Sequence, residues 1–158
     1  MKKFLMICMM SLFGIHLSAQ NSIVELFKTM PDSLMPMLTK NNRLDMVDFL
    51  DAKMKAEVSN LLDGDSEMTY MSTDSLSVRL SSALRVDLFL VDTVEPYDSC
   101  QQAICMLSTY KLSTTSEEEQ VPAYYSVRWQ PLPAPRLAVV KVPVSTVLRQ
   151  DEKVFSKE

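Results

Sequence analysis

Glycine and histidine are nearly missing from this chain, which holds two glycines and one histidine in 158 residues. Phosphate-cradling loops and dinucleotide-binding turns need several glycines, because the backbone must approach the phosphate closely. Gly14 and Gly64 alone exclude both. Basic charge is also short: 16 Lys and Arg stand against 20 Asp and Glu, a net charge of −4. Nucleic-acid binding needs a basic stripe, and none is present. Attraction to anionic lipid is disfavoured for the same reason. Cysteine is scarce, and no Cys-x-x-Cys redox motif occurs. No apolar run reaches the roughly 20 residues that span a bilayer.

The first residues read as a secretory signal. Lys2 and Lys3 form a short basic region, and Phe4 to Ile15 is almost unbroken apolar sequence. Leu17-Ser18-Ala19 then places a small residue before Gln20, the expected cleavage point. Cleavage removes Lys2 and Lys3 from the 16 basic residues and leaves about 14 against 20 acids, a net charge of about −6. It also removes His16, so a Ser-His-Asp triad, a Cys-His pair and a His-ligated zinc site are all excluded from the mature chain. No cofactor-binding pattern is present.

Cys100 and Cys105 are the cysteines that remain. Their segment reads as a strand, where a spacing of five puts them on opposite faces, roughly 16 Å apart. A disulfide spans far less, so unpaired thiols are expected unless the segment turns at Asp98 to Gln102.

Helical signals fill the first third. Ser22-Ile23-Val24-Glu25 has capping-box spacing, and Pro31 ends the short helix that follows. Asp32 to Leu38 reads as a further helical turn or two. The strongest helix is expected from about Asn42 to Lys53, capped by Asn41 or Asn42, with Leu44, Val47, Leu50 and Met54 as its buried stripe. Asp45, Asp48 and Asp51 lie on another side. They are a candidate ligand face, although a solvated face is the commoner use of such spacing.

After Lys55 the period changes to two. Strands are expected at Glu57–Leu61, Glu67–Met71, around Leu76-Val78-Leu80, around Leu84-Val86-Leu88-Leu90, at Gln102–Leu112 and at Tyr124–Trp129. Asp63-Gly64-Asp65 is a turn by composition, and Glu117-Glu118-Glu119 a solvated loop. Short strands joined by short turns favour an antiparallel meander, and helices placed before them favour an α+β fold. The expected architecture is α+β, with short N-terminal helices packed on one face of an antiparallel β-meander. Its parts are a signal peptide over 1–19, a helical part over 20–54, a sheet over 55–130 of the same domain, and a Pro-rich tail or strap over 131–158. Pro131, Pro133 and Pro135 make the tail's start extended and poor in donors. The apolar stretch at Leu137, Val139, Val140, Val142 and Val144 adds an edge strand or packs as a strap.

Tyr125 and Trp129 share one face of the expected last strand, with Tyr124 on the other. An exposed Tyr125–Trp129 face is a candidate for sugar, peptide or protein contact. The competing reading places Trp129 in the core under the helices. Paired carboxylates could run acid–base hydrolysis without histidine, but the sequence selects no pair among its 20 acids.

Two strings carry a family resemblance: Met30-Pro31-Asp32-Ser33-Leu34-Met35-Pro36, and Leu38-Thr39-Lys40-Asn41-Asn42-Arg43-Leu44-Asp45. With Met54-Lys55-Ala56-Glu57-Val58 and Trp129-Gln130-Pro131-Leu132, they resemble a family of secreted proteins from Gram-negative bacteria classed as a domain of unknown function. The resemblance implies an exported protein of the periplasm or outer surface and carries no catalytic residues. The expected function is a non-enzymatic binding module whose partner is another envelope protein or a second copy. The alternative is a small carboxylate-based hydrolase acting on envelope or dietary polymers.

Overall fold

The computed structural model describes residues 21–111 and 117–135. The expected signal peptide with its Ala19–Gln20 cleavage point, and the tail from Arg136 onward, lie outside these residues. The elements run in the expected order. Helix α1 spans Ile23–Thr29, a single 3-10 turn spans Asp32–Leu34, and α2 spans Lys40–Asp51. Among the described residues seven strands follow: β1 Ala56–Ser59, β2 Asp65–Met71, β3 Ser75–Arg79, β4 Leu84–Tyr97, β5 Cys100–Lys111, β6 Glu118–Ser126 and β7 Pro131–Leu132. They form one sheet in sequence order, each strand antiparallel to the next. The fold is α+β with a β-meander. No described helix is long and apolar enough to cross a membrane.

Both helices cover one face of the sheet. Ile23 and Phe27 of α1 and Met46 and Val47 of α2 meet Met68, Leu76, Val78, Val86, Leu88 and Ile104 in one core. The period-two residues Leu76, Val78, Val86 and Leu88 all project into it, as their spacing predicts.

Several local expectations are corrected. Helix α2 starts two residues early because Thr39, not Asn41 or Asn42, is its cap. The Thr39 hydroxyl accepts from the Asn42 amide, and the Asn42 side chain accepts from the Thr39 amide. This reciprocal pair satisfies two otherwise unpaired amides. Thr39→Ala is expected to lower stability by about 1 kcal/mol in a urea titration. Ser22, by contrast, caps α1 without a side-chain bond; Glu25 pairs with Lys28 instead. The stripe of α2 is also rotated from the expected one. Arg43, Met46 and Val47 are buried, Leu44 is half-buried, and Met54 is 56% exposed beyond the helix end.

Arg43 explains that rotation. It is 1% exposed, and its guanidinium donates to three backbone carbonyls: Phe27 O at 3.2 Å, Leu38 O at 3.2 Å and Met30 O at 2.5 Å. It also pairs with Asp32 at 2.8 Å. An arginine from α2 thus caps the C-terminal end of α1, where helix carbonyls lack partners. Its planar fork suits several fixed acceptors at once.

Around the Asp63–Gly64 turn the backbone uses Asp63, not glycine, in the left-handed region, at φ 57°. Asn60 organises the turn. Its side-chain oxygen accepts from Leu62 and Gly64 amides, and its side-chain nitrogen donates to Ser66 Oγ and Leu80 O.

Candidate interaction surfaces

The structure brings Tyr125 and Trp129 together, with Trp129 buried and Tyr125 half-buried against the core. Strand β6 ends at Ser126, and Trp129 follows a turn in the left-handed region at φ 62°. The two rings meet at 5.8 Å and 53°. Trp129 is 6% exposed and donates its indole N–H to Leu26 O at 3.0 Å. The pair fills the core under α1 and is no open platform. Tyr124 sits on the other face, as its parity requires.

Asp45, Asp48 and Asp51 are exposed on α2. Among the described residues no three His, Cys, Asp or Glu side chains converge on a metal position. Lys28 of α1 faces this edge. Its pKa is raised first by the hydrogen bond to Glu25, and then, against desolvation, by attraction to Glu25, Asp48 and Asp51.

The sheet's second face, away from the helices, is ordered by register into rows. One row crosses six strands as Glu57, Glu67, Arg79, Arg85, Thr109 and Gln120. Arg79 pairs with Glu67, and Arg85 Nε donates to Asp87 at 3.1 Å. The next row is Ser77, Asp87, Leu107 and Pro122. A third row holds Ser75, Phe89, Cys105, Tyr124 and Leu132. Phe89, Val91 and Ala103, with Cys105, Leu107 and Leu132, form a second apolar cluster. Charge thus gives way to apolar surface along the strand direction.

Pro122 and Pro131 fit their places by hydrogen-bond parity. The Ser126 amide donates to Gln130 O across the β6–β7 turn. Alternate residues of a strand point their amides the same way, so Pro122 faces the outer edge of β6, where no β5 carbonyl awaits it. Pro131 faces away from β6. Glu118 and Glu119, expected in a loop, pair instead with Lys111 and Tyr110.

A third surface is a two-stranded ribbon. Strand β3 pairs with β4 only as far as Phe89, and β6 with β5 only from Ala103. Beyond these points, among the described residues, β4 and β5 pair only with each other, closing at Tyr97 and Cys100 after a register shift past Asp92. Asp98 and Ser99 turn the ribbon with φ 51° and 62°, the backbone that matches strand twist in a two-residue hairpin. Val94 is 56% exposed, and Asp92, Glu95, Pro96 and Asp98 are exposed beside it. No Lys or Arg occurs between Arg85 and Lys111, so the ribbon is uniformly acidic. Asn21 braces its β5 strand, donating to Cys100 Sγ beside the turn and to Gln102 Oε1, each at 3.2 Å. Sequence reasoning missed the ribbon because Thr93, Glu95 and Pro96 break the alternation of β4.

Cys100 and Cys105 are free thiols on β5. Burial pushes the Cys105 thiol above its ordinary value, and a hydrogen bond with Tyr124 draws it part of the way back. Tyr124 is raised too, mainly by burial and then by the same thiol. Both shifts favour neutral forms in the folded state. Stability is therefore full below the unfolded pKa values and falls as pH rises through them. Timed alkylation at pH 8, read by intact mass, is expected to modify Cys105 slowly in the native protein and promptly in denaturant.

Residues 15–156 match a family described as "Protein of unknown function (DUF3256)", and the chain belongs to that family. No curated protein matches. A solved domain of an uncharacterized protein from Porphyromonas gingivalis W83 is similar in fold, with a TM-score of 0.58 at 18% identity over 73% of this chain. The match spans 56% of that structure's chain.

Proposed function

We propose that this DUF3256 protein is exported to the cell envelope and works there as a non-catalytic interaction module, with the β4–β5 ribbon as its contact surface. The ribbon carries the reading. An unsupported two-stranded hairpin is marginally stable in water, yet here it is held beyond the sheet with Val94 and Pro96 exposed. Val94 and Pro96 offer an apolar contact, and Asp92, Glu95 and Asp98 surround it with negative charge. Such a surface favours a partner with an apolar centre and a basic rim, and the charge speeds the encounter. Export rests on the basic n-region, the short apolar run and Ala19–Gln20.

The test is crosslinking and affinity capture of the mature protein from its native envelope, with intact-mass analysis of the same sample. The expected result is a chain beginning at Gln20 with one reproducible partner, released by high salt and lost in Val94→Asp. A chain that keeps its first 19 residues overturns export. A partner retained fully by Val94→Asp overturns the ribbon as the contact surface. Turnover of an envelope polymer, abolished by a single carboxylate substitution, overturns the non-catalytic reading.

A further inference from the structure

The junction between α2 and β1 carries a patch that matches the ribbon in chemistry. Helix α2 stops in a paired backbone motif. The Lys53 amide donates to Leu50 O at 3.0 Å, and the Met54 amide donates to Phe49 O at 2.8 Å. In this motif the residue at the position of Lys53 turns left-handed and is usually glycine, while an apolar residue at the position of Met54 usually packs back on the helix. Here Lys53 takes that backbone at φ 58°, and Met54 stays 56% exposed. The motif therefore fixes an apolar side chain in water with the exposed Lys53 and Lys55 on either side of it in sequence. Of the exposed large apolar side chains among the described residues, Met54 alone has a base on both sides. An apolar centre with a basic rim is what the ribbon favours in a partner, and this chain carries one.

We propose that the partner at the ribbon is a second copy of this chain, with Val94 of each copy packed on Met54 of the other and Asp92, Glu95 and Asp98 facing Lys53 and Lys55. The proposal rests on the ribbon as the contact surface and names what meets it. Within one chain the two patches do not meet. Ala56 at the start of β1 is level with Val86 of β4, through Met68 and Val78. Val94 lies eight residues farther along β4, roughly 25 Å, and three strand spacings, about 14 Å, to the side. A two-fold axis turns one copy against the other, so that each ribbon projects past its own sheet towards the other's β1 edge. Both contacts then form at once, as a two-fold interface requires. Charge supports the match. The ribbon has acids and no base, whereas Lys55 is held only by Glu57, at 2.6 Å, with 62% of its side chain exposed. So exposed a pair contributes little and exchanges partners readily. Asp51 and Glu57 bracket the lysines in sequence, so the attraction is local and the apolar centre carries most of the affinity.

Sedimentation of the chain from Gln20 to Glu158 tests this. The native protein is expected to form dimers that dissociate more readily as salt rises. Met54→Asp and Val94→Asp are each expected to raise the dissociation constant at least about 10-fold. Two charge variants make the decisive pair. Lys53→Glu/Lys55→Glu and Asp92→Lys/Glu95→Lys are each expected to be monomeric, because each places like charges at both contacts. Mixed in equal amounts they are expected to form a heterodimer, since both contacts then join opposite charges. A variant that fails to fold cannot give that result, and circular dichroism of each variant alone confirms folding. A native chain that stays monomeric to about 1 mM would overturn the second copy as partner. If Val94→Asp then still abolishes capture of a different envelope protein, the ribbon remains the contact surface and only this inference fails. A dimer left intact by Met54→Asp, or folded charge variants that stay apart when mixed, would overturn it as well. A dimer left intact by Val94→Asp would remove the ribbon from the contact and overturn both readings.

Discussion

Arg43→Met is expected to lower the free energy of unfolding by about 4 kcal/mol, because it strips donors from three buried carbonyls at once. The methionine keeps most of the side-chain volume, so the loss measures hydrogen bonding and not a cavity. Removing a buried guanidinium also relieves its desolvation penalty, which opposes the loss. The carbonyls decide the balance. Phe27 O, Met30 O and Leu38 O remain inside after the substitution, whereas Asp32, at 62% side-chain exposure, returns to water without penalty. Asp32→Asn is therefore expected to cost under about 1 kcal/mol, the range of exposed pairs. Arg43→Lys separates charge from geometry. Its compact ammonium cannot reach acceptors as far apart as the C-terminal end of α1 and the approach to α2, so it is expected to recover less than half of the loss. Urea titrations of the three variants test this directly. A loss below about 1 kcal/mol in Arg43→Met would mean that water or backbone adjustment replaces the guanidinium.

The same residue shows where the fold was legible in the sequence and where it was not. Period-two spacing located β3 and the start of β4, because burial against helices on one face imposes alternation. Helix α2 was found but phased wrongly. Leu44 and Met54 are apolar and are expected in the buried stripe, whereas Arg43 enters no stripe, because apolar periodicity cannot register a cation satisfied by backbone carbonyls. Thr39 was missed as a cap for a related reason: its partner is Asn42, and a capping box is usually sought with Glu or Gln. The end of the sheet was misread because Trp129 fits the alternation of β6 yet lies beyond a turn. Its face was nevertheless right, since the turn returns its ring beside Tyr125. Two-sided burial at Leu88-Phe89-Leu90-Val91 was visible as a continuous apolar run, but only the even positions were read. Asp45 and Asp48 were legible as a charged face, and nothing in their spacing distinguishes a ligand site from a solvated helix.

Trp129→Ala is expected to destabilise the protein by about 4 kcal/mol, comparable to Arg43→Met but through a different link. Arg43 ties the helices to each other, whereas Trp129 ties α1 to the last hairpin. Its indole N–H bonds Leu26 O, 103 positions away in sequence, and its ring packs on Tyr125. Truncation leaves a cavity between α1 and β6 and removes the indole donor from Leu26 O, which keeps the Thr29 hydroxyl, in a helix that is only seven residues long. So short a helix is not stable by itself, and its docking depends on such distant contacts. Trp129→Phe keeps most of the ring and loses only the hydrogen bond, so about 1–2 kcal/mol is expected. Native-state hydrogen exchange separates the two links. In Trp129→Ala the amides of α1 are expected to lose protection before those of β3 and β4, because the sheet keeps its own ladder. Uniform loss across helix and sheet would mean that α1 and the meander unfold as one unit, and that Trp129 acts on the whole core and not on a docking contact.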